Sequence, residues 1–526
     1  MVNIDKSIVD KSLKKVLKTT GIVFIGSVTG LFLQFISGII ITRAITPKEL
    51  GVYTLSFTII SSITLISFIG FDNGMPRMVA KYFTTKDYGK TWGIVLSAFF
   101  IVCLMSILCS TGNYFLSGYI AQTFKKPDMQ RVLQFFTFVL PPMAISMLLV
   151  NTFRGLSYSW PKVVVDEVSI RVFRIMGLFF VIYTGAGLKG VLWAHTLVIY
   201  FVSTCFLIYS SITIPKIIPR IKPEWDVTGG LIKFSLPLFG NTIVSILKMM
   251  AGIMILGYYL PYDAVAQYNV SMSLAHFLDM PLTSMAFIYL PTATSLLAAS
   301  SEQDLNAAGK LYTNCTKWIA LIAVPFFMVF LLDADFLVTK LFGEAYLPAA
   351  KVLRILSIGY FIHVSFGPNG LTLLSLGKSK VFLSSALAMT ALNIVLGIFL
   401  IPRWNIQGAA AANCISLIVS NLILSLSLYR FSRIHPLSMN YLKPFAFIFA
   451  LSFLAYYIFN LCLFTSVFGH IVFLTGLVCI CICAPFITRS INADDLSIIS
   501  AMERKFSQRS IISEKLSRWY GVEISK

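Results

Sequence analysis

The sequence predicts an all-α polytopic membrane protein with about 14 transmembrane helices: two parallel six-helix repeats and two additional C-terminal helices. Three observations carry this reading. Of 526 residues, 57% are hydrophobic and only 12% are charged, and the mean hydropathy is +0.82. Apolar runs long enough to cross a bilayer follow one another with short connections. Cations gather in every second connection.

The composition excludes several classes. A soluble domain is about one-quarter charged, so an ordinary soluble enzyme, a coiled coil and a disordered chain do not fit. Lys+Arg is 42 against 22 for Asp+Glu, a formal charge of +20. The cations lie between apolar runs rather than in one patch, which speaks for membrane topology and not for nucleic acid. Nine cysteines show no disulfide pattern. Of Cys479, Cys481 and Cys483 only the outer two share a helical face, with no His or carboxylate nearby in sequence, so no metal site is expected. The first apolar run is too long for a signal-peptide core and is read as a retained span.

The predicted spans lie near 19–42, 51–71, 91–111, 132–152, 168–185, 190–210, 231–257, 264–290, 318–338, 352–374, 381–401, 408–429, 444–464 and 468–488. An even number puts both ends on one side. The N-terminus, the tail and the connections on their side carry 31 Lys+Arg, the opposite connections 10. By the positive-inside rule both termini are cytoplasmic. The tail beyond Asp494 places Leu496, Ile499, Met502 and Phe506 on one face, which suits a helix lying on the cytoplasmic leaflet.

The chain repeats itself. Ser37–Pro47 ends the first span and Ala251–Pro261 the seventh, an offset of 214 that matches Gly38 with Gly252, Ile39 with Ile253, Ile41 with Ile255 and Pro47 with Pro261. Farther on, Pro76 corresponds to Pro291, and Gly190 to Gly408. Residues 1–210 are therefore read as an N-terminal six-helix lobe, 211–430 as its repeat, 431–488 as two additional spans and 489–526 as a cytoplasmic amphipathic tail. An even helix count per copy gives both copies one orientation, a parallel repeat.

Several segments resemble one family. Thr42-Arg-Ala-Ile-Thr-Pro-Lys-Glu-Leu-Gly-Val-Tyr53 is similar to the connection after the first helix of polysaccharide flippases. Leu341-Phe-Gly-Glu-Ala-Tyr346, Leu376-Gly-Lys-Ser-Lys380, and Leu400-Ile-Pro402 followed by Gly408-Ala-Ala-Ala-Ala412 resemble later motifs of the same proteins, in the right order over nearly the whole chain. Leu50 departs from a common aromatic, and Trp404-Asn-Ile-Gln407 from a commoner Gly-rich turn. The family is the polysaccharide transport branch of the multidrug/oligosaccharidyl-lipid/polysaccharide (MOP) exporter superfamily. The resemblance implies a V-shaped pair of six-helix lobes in the cell membrane. It implies translocation of a polyprenyl-linked oligosaccharide by alternating access, and no enzymatic step. Membrane lipids and glycan assembly proteins are the expected partners, nucleic acid is not, and no cofactor is expected beyond a coupling ion, Na⁺ or H⁺.

Polar residues deep in a span mark a functional site by default. Lys248 is the one cation well inside a predicted span, and the offset of 214 sets it against Gln34. Asn241 lies on its face, seven residues earlier. The functional reading gives Lys248 a phosphate and gives Gln34 and Asn241 sugar hydroxyls; the plainer one gives them interhelical hydrogen bonds. Asn269, His276 and Asp279 share the eighth span, where Asp279 either holds a coupling ion or neutralises Lys248. Arg77 and Arg154 are placed at the cytoplasmic mouth, while Arg43, Arg171 and Arg174 read as helix-end topology signals. His195 and His363 read as core residues.

No nucleotide-binding loop or catalytic elbow is present. Two competing functions remain: a cation-coupled multidrug antiporter, expected to have an acidic cavity, and a membrane polysaccharide polymerase, expected to have a large external loop. The topology makes the first prediction. A cysteine at Asn405 is labelled from outside intact cells and one at Ser507 is not; the reverse pattern contradicts the orientation.

Overall fold

The structure, a computed structural model, describes residues 6–158, 160–219, 221–297, 302–436, 439–461 and 466–491. The predicted tail helix and position 507 lie outside these residues. Among the described residues every regular element is a helix.

The first half runs α1 (Lys6–Ala44), α2 (Pro47–Ser67), α3 (Phe71–Thr84), α4 (Tyr88–Thr123), α5 (Asp128–Thr137), α6 (Leu140–Gly155), a π-helix (Lys162–Ser169), α7 (Ile170–Thr184) and α8 (Gly187–Ile217). The second runs α9 (Val227–Tyr259), α10 (Tyr262–Leu297), α11 (Glu302–Leu332), α12 (Ala334–Phe342), α13 (Ala349–Ser365), α14 (Asn369–Ser375) and α15 (Ser379–Ser432), followed by α16 (Met439–Leu461) and α17 (Val467–Ile487). In each half the second span is interrupted. Three residues separate α2 from α3, and α10 bends by 45° at residue 287. Pro291 explains that bend, because its ring clashes with the carbonyl four residues back.

Ten helices among the described residues are long and apolar enough to cross a membrane, or 12 with each bent pair as one span. Two features separate this from the predicted 14. α7 has only 15 residues, short of a span unless the π-helix before it is included. α15 has 54 residues, roughly 80 Å of helix, far more than one bilayer crossing needs. It breaks at Asn405 (φ 52°, ψ −136°), between the eleventh and twelfth predicted spans.

Contacts divide the chain into two compact units. One comprises Met1–Leu274, Val338–Leu356 and Ala386–Ser416. Its core holds Phe68, Phe71, Met75, Phe153, Phe206 and Leu231, all nearly inaccessible, and α9 packs there along α2, α3 and α4. The other comprises Ala275–Leu337, Ser357–Ser385 and the chain from Leu417. In it α16 packs on α17, and both touch α11. His470 of α17 lies 2.9 Å from the Asp333 carboxylate and stacks on Phe336 at 4.0 Å, which fixes the added helices to the end of α11.

The motif after α1 has a physical basis at each position. Thr46 and Glu49 form a reciprocal capping box that starts α2, with Pro47 in its first turn. A Cβ on Gly51 would strike the Tyr262 carbonyl, so only glycine fits there. Tyr53 is buried, with its hydroxyl 2.7 Å from His195 Nδ1. Arg43 donates to the carbonyls of Lys340 (2.7 Å) and Leu341 (3.4 Å), so it caps the C-terminal end of α12 and joins two of the motifs read from sequence.

Asn405 sits in a conformation that favours glycine. Strain of this kind costs about 1–3 kcal/mol, so Asn405→Gly raises thermal stability and Asn405→Val lowers it. A thermal melt of the detergent-purified protein checks both; a lower melting temperature for the glycine variant contradicts the assignment.

Candidate functional site

The π-helix runs without a break into α7, giving one helical rod over residues 162–184. π-Turns are rare and concentrate at functional sites. Arg174 stands near the middle of this rod, not at its end as the sequence suggested. The predicted span began at 168 and left out the apolar turn at Val163–Val165, which moved both arginines toward the boundary. Lys248 is therefore not the lone cation deep in a span.

Arg174 donates through Nε to the Ser37 hydroxyl of α1 at 2.9 Å. Arg171 lies one turn earlier. Its Nη1 is 2.7 Å from Glu167 Oε2, in a pair with side chains only 19% and 16% exposed. Its Nη2 reaches Gln34 Oε1 at 3.4 Å. Gly30 makes room for this pair, since any Cβ there would collide with Glu167 and Arg171. Glu167 offsets one of the two guanidinium charges. Arg174 has no carboxylate within 4.0 Å among the described residues.

The other predicted residues of this unit fall in three places. Lys248 and Asn241 are exposed on α9, whose apolar window is only 17% buried. No ion pair to Lys248 forms among the described residues. Asn269 reaches Thr54 Oγ1 at 3.5 Å, an interhelical contact of the plainer kind. Arg77 and Arg154 are exposed. Arg154 acts electrostatically on Asp72, which also accepts from the Thr242 hydroxyl at 3.2 Å. Asp72 was missed in the sequence because it sits at the frayed end of a predicted span.

A clasp closes the opposite ends of these helices. Lys126, in the connection after α4, donates to the Leu260 carbonyl at 2.7 Å and lies 4.2 Å over the Tyr262 ring. Burial lowers the Lys126 pKa, and the nearby Asp263 carboxylate opposes that shift.

The second unit holds the remaining candidates. Asp279 Oδ1 is 3.4 Å from His363 Nε2, so His363 is not a lone core histidine. His363 Nδ1 is 3.0 Å from Asn421 Oδ1. Asn421 Nδ2 donates to Leu417 O at 2.8 Å, which orients its Oδ1 toward the ring. Asn369 extends the network to Asn421 and Ser425. His276 packs edge-on to the Tyr360 ring. His195 is also more than a satisfied core residue: its Nε2 is buried without a hydrogen bond, while Nδ1 meets Tyr53.

A family model described as "Polysaccharide biosynthesis protein" matches residues 40–351. "Teichuronic acid biosynthesis protein TuaB" of Bacillus subtilis (strain 168) is 24% identical over 159 residues, 30% of this chain and 32% of that one. An uncharacterised membrane protein of Methanocaldococcus jannaschii is 26% identical over 218 residues, 39% and 41% of the two chains. The matches thus span between 32% and 41% of the length of these curated relatives. Among solved structures, the lipid II flippase MurJ in its inward closed conformation aligns with a TM-score of 0.69 at 14% identity, over 91% of this chain and 99% of that one. An inward-facing multidrug resistance MATE family transporter of the MOP superfamily gives 0.62 at 14%, over 78% and 95%. A MOP superfamily transporter from Pyrococcus furiosus, titled for the reverse polarity of its binding pocket, gives 0.54 at 14%, over 80% and 95%. At these identities the likeness is one of fold.

Removing Glu167 would take the carboxylate from the half-buried Arg171, a loss of about 1–3 kcal/mol for a charged hydrogen-bonded pair. Glu167→Gln therefore lowers the melting temperature sharply, and Glu167→Gln with Arg171→Gln recovers much of it. Additive losses in this double-mutant cycle contradict the pairing.

Proposed function

Because this chain belongs to the polysaccharide biosynthesis protein family whose model it matches over residues 40–351, we propose that it is a flippase for a polyprenyl-(pyro)phosphate-linked oligosaccharide. One observation supports this reading above the others: Arg174, near the middle of the helical rod over residues 162–184, donates to Ser37 of α1 and has no carboxylate within 4.0 Å among the described residues. An isolated charge there costs about 2.5–3.5 kcal/mol. An anionic group crossing the membrane offsets that cost and is itself relieved of desolvation. Lys248 and Asn241 extend the polar surface on α9, and Gln34 extends it on α1. Arg77 and Arg154 receive the phosphate at the inner mouth.

The protein sits in the cell membrane with both termini in the cytoplasm. Moving Arg171 and Arg174 into the span still leaves 29 cations against 10. Alternating access then requires the Lys126 clasp, on the outer side in this orientation, to open in each cycle. The Asp279–His363 pair, 3.4 Å apart, carries the coupling ion, for which we take H⁺, since carboxylate and histidine chains serve as proton relays in membrane transporters. A multidrug antiporter for cations would need the opposite charge at Arg174.

A deletion strain accumulates the lipid-linked oligosaccharide on the inner leaflet, and the wild-type gene clears it. Arg174→Gln and Lys248→Ala reduce clearance at least roughly tenfold, a loss of about 1.4 kcal/mol in transition-state terms; Lys248→Arg keeps part of it. A flipped but unpolymerised glycan in the deletion strain contradicts the flippase reading. Asp279→Asn and His363→Gln flatten the pH dependence of clearance; an unchanged pH profile contradicts H⁺ coupling.

A further inference from the structure

One cavity is lined by cations and apolar side chains together. It encloses about 650 Å³ at the ends of α2, α5 and α8, within the range of small-molecule sites. Its floor is apolar, with Val52, Val132, Leu188 and Leu192. Phe135 and Trp193 form one wall, packed edge to face at 5.0 Å, and Trp193 is exposed. An exposed tryptophan at the end of an apolar helix belongs at headgroup level.

The charges at the rim do not balance. Lys48 is taken up by Asp128 at 3.2 Å. Glu49 accepts hydrogen bonds from the backbone and hydroxyl of Thr46, at 2.9 and 3.0 Å, and keeps its charge. Arg131 and Lys189 line the same cavity, and neither forms an ion pair among the described residues. Both stand in the first turn of a helix, Arg131 in α5 and Lys189 in α8, and neither helix has a side-chain cap. Lys48, Arg131 and Lys189 against Glu49 and Asp128 leave the rim with one positive charge in excess, and at headgroup level such cations draw an anion; the apolar floor suits a chain attached to it.

We propose that this cavity binds the headgroup of an anionic phospholipid, with the phosphate between Arg131 and Lys189 and the first acyl carbons on the apolar floor beside Trp193. In the orientation given by the cation bias this is a lipid of the outer leaflet. Its lining includes neither Arg171 nor Arg174, so a resident lipid there does not depend on the flippase reading.

The full-length protein is purified from nanodiscs of phosphatidylcholine and phosphatidylglycerol in equal amounts, and the retained lipid is measured by native mass spectrometry. The wild type is expected to retain phosphatidylglycerol in preference to phosphatidylcholine. Arg131→Gln with Lys189→Gln is expected to lose that preference by roughly tenfold or more, while Arg131→Lys with Lys189→Arg keeps it. Retention that is indifferent to headgroup, or unchanged in the glutamine variant, overturns the proposal. So does displacement of the lipid by millimolar inorganic phosphate, which would make the site one for a free anion. Stronger retention of added polyprenyl phosphate than of phosphatidylglycerol also overturns it, since the cavity would then belong to the transported substrate.

Discussion

A guanidinium in the middle of a membrane helix constrains everything around it. It never loses its proton under biological conditions, so the surroundings must supply oxygen acceptors, a counter-charge or a visiting anion. Arg171 is satisfied within the protein by Glu167 and Gln34. Arg174 is satisfied only in hydrogen bonding, through Ser37, and not in charge. The packing follows from this. Gly30 leaves space for the pair, and the π-turn before α7 sets where the arginines fall relative to α1. The chain belongs to a polysaccharide biosynthesis protein family, and under the proposed function an anion that comes and goes is what the Arg174 guanidinium accommodates.

The same logic of internal satisfaction explains the rest of the frame. In hydrocarbon the backbone must be paired within helices, so irregular geometry collects where proline or a forced turn requires it. Examples are the connection between α2 and α3, the bend of α10 before Pro291, and the turn at Asn405. The motif after α1 is a set of contacts rather than a signature alone: a capping box, a glycine pressed on a carbonyl, a tyrosine on a histidine, and an arginine on the last carbonyls of α12.

Much of the fold was legible in the sequence, because burial in lipid writes itself as long apolar runs and as a cation bias between them. The fold class follows from those signals, and Gln34 and Lys248, matched by the sequence offset, lie 10 and 11 residues before the ends of α1 and α9. The site was less legible. Arg171 and Arg174 looked like boundary markers because hydropathy alone does not show that a π-helix extends the rod before them. His363 looked solitary because its partners, Asp279 and Asn421, are 84 and 58 residues away in sequence. Asp279 was weighed as a counter-charge to Lys248, and its neighbour in its own unit is an imidazole. Pairing between distant helices depends on rotation about each helix axis, which composition does not encode.

The central claim is that Arg174 meets the phosphate of the substrate. Its most direct test is binding, measured by titration calorimetry of a short-chain polyprenyl pyrophosphate into purified wild-type protein and into Arg174→Gln. The account predicts that the substitution weakens binding at least roughly tenfold, as expected for loss of a charged hydrogen-bonding partner, and that the wild-type affinity falls as salt is raised. Equal affinities in two equally stable proteins would contradict it.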